Sequence, residues 1–495
     1  MIDWQSWFEW LWAFGKPLDI TGAGYLVFVS VAFTGSLLLS RLRSAHSAWV
    51  SLLSLLLSAK VCGIWALLLV VTATLDYFIG RALFDTTRNW QKTALLLLSL
   101  SVNLGLLVYF KYSRFIAESL SPFNIVFSED LLSWIVPLGI SFYTFRSLSY
   151  ILDCYQEVIE EPETNYWHYL AFVSFFPTLY AGPISKARET LIYFKKPLEL
   201  NHTQHAQIIW LVISGLVKKV AVADYLGSNF VDRVFDSPGQ FSGLECLIAA
   251  GMYGIQLYAD FSGYTDIMLA VGLLLGIKLP DNFNEPYKAT SLSEFWRRWH
   301  ISMSSWFSDY VFQPLVFSWR KWPRIWAVGL ASLITFTASG IWHGSRWTYL
   351  LWGFLHGIGL VYEVSTQKYR KKIFSYLPKW LNRSLSQILL YCFLVLSFIL
   401  FRCQNLETSV TFFNSLMYQF HFELLQSWVF QYQAVIWACL LGIILHSTPT
   451  IWKQKLFQGF ENLPWYLYPL IFVITVFCVY QVKMAESLPF VYLQY

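Results

Sequence analysis

The chain returns again and again to apolar runs long enough to enter a bilayer, and basic or proline-containing turns separate them. Residues 21–40 form the first such run, closed by Arg41 and Arg43. Residues 48–79 are too long for one span and contain Lys60, which fits a pair of short or tilted helices, or a hairpin. Residues 93–110 stop at Lys111 and Arg114. Residues 131–150 hold Pro137 and Gly139, and residues 169–191 hold Pro177, Gly182 and Pro183, so both read as broken. Residues 208–226 carry Lys218 and Lys219, and residues 244–277 are interrupted by Asp260, Gly263 and Asp266. Runs at 327–337, 347–362, 385–401, 434–445 and 464–482 complete the set. The expected fold is all-α and polytopic, with about ten to twelve spans, several of them irregular. Broken helices at membrane depth need protein or water along them, so Pro137, Pro183 and Gly263 point to a walled cavity or tunnel.

Composition supports this class. Of 495 residues, 56% are hydrophobic and only 13% charged, too apolar for a soluble chain of this length. The 24 Trp, 29 Tyr and 41 Phe suit membrane interfaces, and residues 1–20, rich in Trp, read as an interface-lying lead-in. The lead-in lacks a basic n-region with a small-residue cleavage site, so no cleaved signal peptide is expected. The net charge of +5 sits in loops, with no concentrated basic face of the kind nucleic acid requires. Basic loops at 41–43, 111–114, 320–324 and 368–372 mark the cytoplasmic side. The seven cysteines are scattered without ligand spacing, so neither a disulfide framework nor a metal site is expected. No linker or internal repeat divides the chain, and residues 1–495 read as a single integral-membrane domain.

Residues 291–357 carry the chemistry. They include S-L-S-E-F-W-R-R-W-H-I-S and, after a basic turn, S-G-I-W-H-G. A lone histidine on an apolar face is often only a core residue, but an ionisable group at membrane depth is costly. His343 and His300, on either side of a Trp/Arg-rich turn, have the residue types of a buried acid–base site. Arg297 and Arg298 suit carboxylates or phosphates, whether a coenzyme's or a lipid's. Asp260 and Asp266 in D-F-S-G-Y-T-D either satisfy each other at a kink or orient a histidine or a basic side chain. The run P-D-N-F-N-E-P-Y, residues 280–287, reads as a structural turn.

These stretches, with P-L-G-I-S-F-Y-T-F-R-S-L-S-Y (137–150), F-F-P-T-L-Y-A-G-P-I (175–184) and G-L-V-K-K-V-A-V-A-D (215–224), resemble the membrane-bound O-acyltransferase family. The likeness runs in order over about residues 45–405, and is to the branch of alginate and peptidoglycan O-acetyltransferases. The segment F-R-C-Q-N-L-E (401–407) and the helices from 385 to 495 also look like the alginate-type branch. Arg146 departs from it, standing where alginate-type relatives are expected to carry glutamine, and is closer to the teichoic-acid D-alanyl transferases. The resemblance implies a ring of helices around a tunnel, with the thioester donor entering from the cytoplasm and the acceptor from the other face. It makes His343 the catalytic histidine and His300 the second active-site histidine. Trp342, Ser339, Arg297, Arg298, Asp260 and Asp266 are candidates for donor binding or support of the site.

Acyl transfer to a hydroxyl needs a base, a role that a neutral imidazole at His343 would fill. It also needs a donor to the oxyanion, from His300 or a backbone N–H. The expected donor is acetyl-CoA, with no bound cofactor. The expected partners are the bilayer and an extracytoplasmic acetyltransferase that passes the group to a cell-envelope or exported polysaccharide. The expected location is the plasma membrane, multi-pass. D-alanyl transfer is the alternative within this class. A transporter or channel lined by the intramembrane His, Asp and Lys is the alternative of another class. Finally, the tail S-L-P-F-V-Y-L-Q-Y resembles the aromatic terminus of the small partner peptide in D-alanyl transfer. This makes Tyr492 either an acyl relay or an interfacial anchor.

Overall fold

The computed structural model describes residues 15–125, 127–128 and 135–482, so the first part of the Trp-rich lead-in and the tail with Tyr492 lie outside the described residues. The regular elements described are all helical. Among the described residues, five helical stretches are long and apolar enough to cross a membrane: Arg43–Asp85, Asn89–Phe123, His202–Asp236, Arg324–His343 and Lys379–Arg402. A sixth forms if Phe422–Gln431 and Gln433–Ser447, bent by 87°, count as one. Ala23–Leu38 and Leu467–Val479 are apolar but shorter. Helices Gly243–Leu274 and Trp347–Phe374 are also long but carry more polar or charged residues, and several of the other apolar runs fold as short helices separated by turns. The chain divides into two compact units, Met1–Ile208 with Met268–Pro280, and Ile209–Ile267 with Asp281–Tyr495.

In the first unit the run at 48–79 breaks at the turn Gly63–Ala66, between helices Arg43–Cys62 and Leu67–Asp85. Serines on the first of these helices return their hydroxyls to the backbone, Ser51 to Ser47 O at 2.8 Å and Ser54 to Val50 O at 2.7 Å. Polar side chains are thereby tolerated on a buried face. Within the described part of the run at 131–150, a helix begins at Ile140, after Gly139 in the left-handed region at φ 69°. The run at 169–191 is broken as expected. Helix Tyr166–Ser174 ends, Pro177 sits in the short turn Phe176–Thr178, and a new helix begins at Ala187. The freed carbonyls are held by Arg146, fully buried, whose Nη1 donates to Phe172 O at 3.1 Å, Phe175 O at 3.3 Å and Thr178 Oγ1 at 3.0 Å. A guanidinium's fixed fork suits such a set of acceptors, where a shorter amide would reach fewer of them. Asp76, also buried, accepts from Ser99 Oγ at 2.6 Å and Asn103 Nδ2 at 2.8 Å.

In the second unit Gly263 does not interrupt its helix, which runs unbroken from Gly243 to Leu274. Gly263 is instead a point of close approach: a Cβ there would lie 2.8 Å from Gly215 O and 2.9 Å from Lys219 N. The facing segment Val217–Asp224 is wound as a π-helix. Helices Arg324–His343 and Trp347–Phe374 form an antiparallel hairpin across a three-residue loop. Gly340 and Gly353 let the two backbones nearly touch. A Cβ on Gly340 would lie 2.4 Å from Tyr349 O, and one on Gly353 2.3 Å from Phe336 O. Small residues at such a crossing are how helices associate where solvent gives no apolar driving force.

Candidate active site

The helix that begins at Arg324 ends on His343, because Gly344 turns fully extended at φ −174° and ψ 166°. His343 is therefore placed by a rigid helix rather than a loop, and it is buried. Its ring meets Trp342, Trp352 and Phe401 edge to face, with centroids 5.2, 5.2 and 5.3 Å away. It borders a cavity lined also by Leu257, Phe295, Trp296, Trp299, Trp352, His356, Phe398 and Phe401. The cavity is narrow, with room for about one water-sized group, and its walls are aromatic.

His356 was not singled out from the sequence, although the rule that marks His343 applies to it equally. It is buried, one wall of the same cavity. The Trp296 indole N–H donates to His356 Nδ1 at 3.3 Å. An indole can only donate, so Nδ1 must accept and the neutral ring carries its proton on Nε2. That proton points to Ser397 Oγ at 3.1 Å, and Ser397 in turn donates to Leu394 O at 2.8 Å. The chain fixes one tautomer and one orientation for Trp296, whose ring stands 5.7 Å from that of Trp352.

His300 reaches its position by a different device. It stands in the left-handed region at φ 43° and ψ 52°, just before helix Ile301–Phe307. A non-glycine residue there is strained and persists only where its surroundings hold it. Those surroundings are residues 282–284, lying alongside 298–301. Ile301 N donates to Asn282 O at 3.0 Å, Asn284 N to Arg298 O at 2.9 Å, and Phe283 forms an isolated bridge with Trp299. Asn282 Oδ1 accepts from Ser302 N at 3.3 Å and Ser302 Oγ at 2.8 Å, and lies 3.0 Å from His300 Nδ1. A backbone N–H on Oδ1 fixes the amide's orientation, so His300 Nδ1 is the protonated nitrogen and Nε2 holds the lone pair. Burial also pushes the His300 pKa down to about 3. The imidazole is thus neutral and presents a hydrogen-bond acceptor at Nε2, so it has no N–H there to donate to an oxyanion, and so low a pKa makes it a weak base. The turn at 280–287 therefore does more than reverse the chain, and Asn282 is a second residue that the sequence reading passed over.

The remaining candidates divide. Trp342 is buried between the two histidines, its ring 6.2 Å from that of His300. Ser339, one turn before His343, is buried and donates weakly to Met303 Sδ at 3.8 Å. Asp260 pairs with Lys219 Nζ at 2.8 Å, and Lys219 also reaches Asp224 at 2.7 Å. Asp266 pairs with Lys218 at 2.6 Å and accepts from Ser214 at 2.8 Å. The two carboxylates thus orient basic side chains instead of each other, and brace helix Gly243–Leu274 against the facing π-helical turn. Arg298 is committed to Glu294, with Nε and Nη2 at 3.0 and 2.9 Å from Oε1. Arg297 is exposed.

Fold and site together define a helical membrane protein with buried histidines on tightly packed, aromatic-walled helices. Residues 64–401 match the family model of the membrane-bound O-acyltransferases, and the chain belongs to that family. It is 32% identical over 427 residues to a peptidoglycan O-acetyltransferase of Helicobacter pylori, covering 80% of this chain and 78% of that one. It is 34% identical over 359 residues to a probable alginate O-acetylase of Pseudomonas aeruginosa, covering 69% of this chain and 64% of that one. It is also 34% identical over 247 residues to a teichoic acid D-alanyltransferase of Streptococcus thermophilus, covering 48% and 59%. The chain is a multi-pass membrane O-acyltransferase, which displaces the transporter alternative.

Proposed function

We propose that this enzyme moves an acetyl group from acetyl-CoA to a hydroxyl, for O-acetylation of a cell-envelope or exported polysaccharide, with His343 as the base. The observation that carries this reading is His343 at the end of a rigid helix, beside a narrow aromatic cavity. A closed apolar site protects a thioester from water. In the reaction, His343 removes the hydroxyl proton as the oxygen attacks the thioester carbonyl carbon. The new C–O bond forms, the C–S bond breaks, and the thiolate leaves with the proton. His300 is read as a neutral hydrogen-bond acceptor of the site, held in place by Asn282. Trp342 and Ser339 support the two histidines, Asp260 and Asp266 support the helix behind the site, and the exposed Arg297 is the candidate for donor phosphate, with Arg298 holding the turn. The plasma membrane is the proposed location, and an extracytoplasmic acetyltransferase the proposed partner. D-alanyl transfer stays as a second reading because of the D-alanyltransferase relative. Tyr492 is the proposed acyl relay, on the likeness of the C-terminal sequence to the partner peptide's aromatic terminus.

The test uses full-length protein in lipid nanodiscs, with acetyl-CoA as donor and chitopentaose as hydroxyl acceptor. Release of free thiol and the product's mass are followed. The expected result is acetylated oligosaccharide from the wild type and none from His343→Ala, with the variant purifying normally. Undiminished turnover in His343→Ala would remove it as the base. Activity only with a D-alanyl carrier thioester would favour the second reading. After incubation with donor, a mass gain on the C-terminal peptide that Tyr492→Phe abolishes would support the relay.

A further inference from the structure

Among the polar groups that line the cavity beside His343, the Trp352 indole N–H has no role in the mechanism above. Trp352 is buried, and its Nε1 has no hydrogen-bond partner among the described residues. In the same wall, by contrast, the Trp296 indole N–H is taken by His356, and both nitrogens of His356 are engaged. A buried donor left without an acceptor costs on the order of 1–3 kcal/mol, so it calls for an explanation. Burial alone would not make a site, since the Trp428 indole is also buried and unpartnered but does not line this cavity. Trp352 differs because its ring packs edge to face on His343, with centroids 5.2 Å apart at 88°.

We propose that the Trp352 indole N–H is the donor that binds the acyl carbonyl oxygen and stabilises its negative charge during transfer. This rests on the reading that transfer occurs at His343. The reaction needs such a donor, and the tautomer of His300 leaves that histidine an acceptor. As the acceptor hydroxyl attacks, the carbonyl π pair moves onto oxygen, and the indole N–H meets the charge that forms there. When the C=O bond reforms, the C–S pair leaves on sulfur and the indole is unchanged. Trp352 is pre-aligned for this role. Its ring is clamped by His356 at 4.7 Å, Phe401 at 5.1 Å and Trp296 at 5.7 Å between centroids. The His356–Ser397 chain holds Trp296 in turn, which makes His356 a positioning residue. A donor fixed before the reaction pays no reorganisation during it.

The test replaces the N–H while keeping the ring. Benzothienylalanine at position 352 exchanges the N–H for sulfur at nearly unchanged shape, and Trp352→Phe removes the N–H with part of the ring. In the nanodisc assay both should lower kcat by about 100-fold. The KM for acetyl-CoA should stay within twofold of the wild-type value, because the interaction strengthens only as charge develops. The benzothienyl variant decides the matter even if Trp352→Phe fails to fold. A kcat within twofold of wild type in that variant overturns the proposal, as does a raised KM with kcat unchanged. His343→Ala is run beside it. If that variant keeps full activity, the location of the reaction is at fault; if it is inactive while the benzothienyl variant is fully active, only the role given to Trp352 fails.

Discussion

At the scale of single residues, His300 makes the most specific claims. Its pKa is pushed down to about 3, from an ordinary value of 6.5, by burial. Between those two values the unfolded chain binds a proton that the folded chain does not, so stability rises with pH across that interval. The contribution is complete above about pH 6.5 and lost progressively as pH falls towards 3. The melting temperature in nanodiscs should therefore fall between pH 7 and pH 4.5, and His300→Gln should flatten that slope. A wild-type and a variant curve of equal slope would show that other groups set the acid limit. Asn282 allows a second prediction. Asn282→Leu leaves His300 Nδ1–H and the Ser302 N–H without their common acceptor and should cost about 1–3 kcal/mol. Turnover should fall further than stability alone explains, because the imidazole loses its orientation. Urea unfolding and kcat, measured on the same preparation, separate the two effects.

At the scale of elements, close helix contacts hold the site. Gly340→Ala places a methyl 2.4 Å from Tyr349 O, a backbone atom that cannot move without shifting the partner helix. We expect a loss of about 1–3 kcal/mol and a displaced His343 with reduced turnover. Gly251→Ala is the control: it lies within helix Gly243–Leu274 with nothing within 4 Å of the added carbon. It should be neutral or stabilise by up to about 1 kcal/mol. Thermal unfolding of the pair shows whether close approach, and not glycine content, matters. Lys219→Met would strand the buried Asp260 and Asp224 without their shared cation and should cost about 3–5 kcal/mol. Near wild-type thermal stability in that variant would show those carboxylates are accommodated some other way. The elements also mark where the sequence was legible. Proline at 177 and Gly139 announced breaks that are present, because each changes the backbone locally. Gly263 looked the same and is no break, because its reason is the backbone of another segment, 215–219, which no local pattern records. Asn282 was hidden for a like reason, since its partner lies eighteen residues away.

At the scale of the whole molecule, apolar runs and basic turns identified the class, and ordered motifs identified the family, because both are written in consecutive residues. The two-unit division was not legible at all: the first unit closes on Met268–Pro280, a return of the chain that no linker announces. One feature of the second unit reaches beyond its own packing. Helices Arg324–His343 and Trp347–Phe374 are antiparallel, so the basic residues at 320–324 and at 368–372 share one end of the hairpin, while His343 stands at the other. At 1.5 Å per residue the separation is roughly 30 Å. The hairpin is therefore a ruler. A molecule whose anionic head rests at the basic end and whose reactive carbon touches His343 must be drawn out along the ruler's full length, with a thin flexible arm between head and carbon.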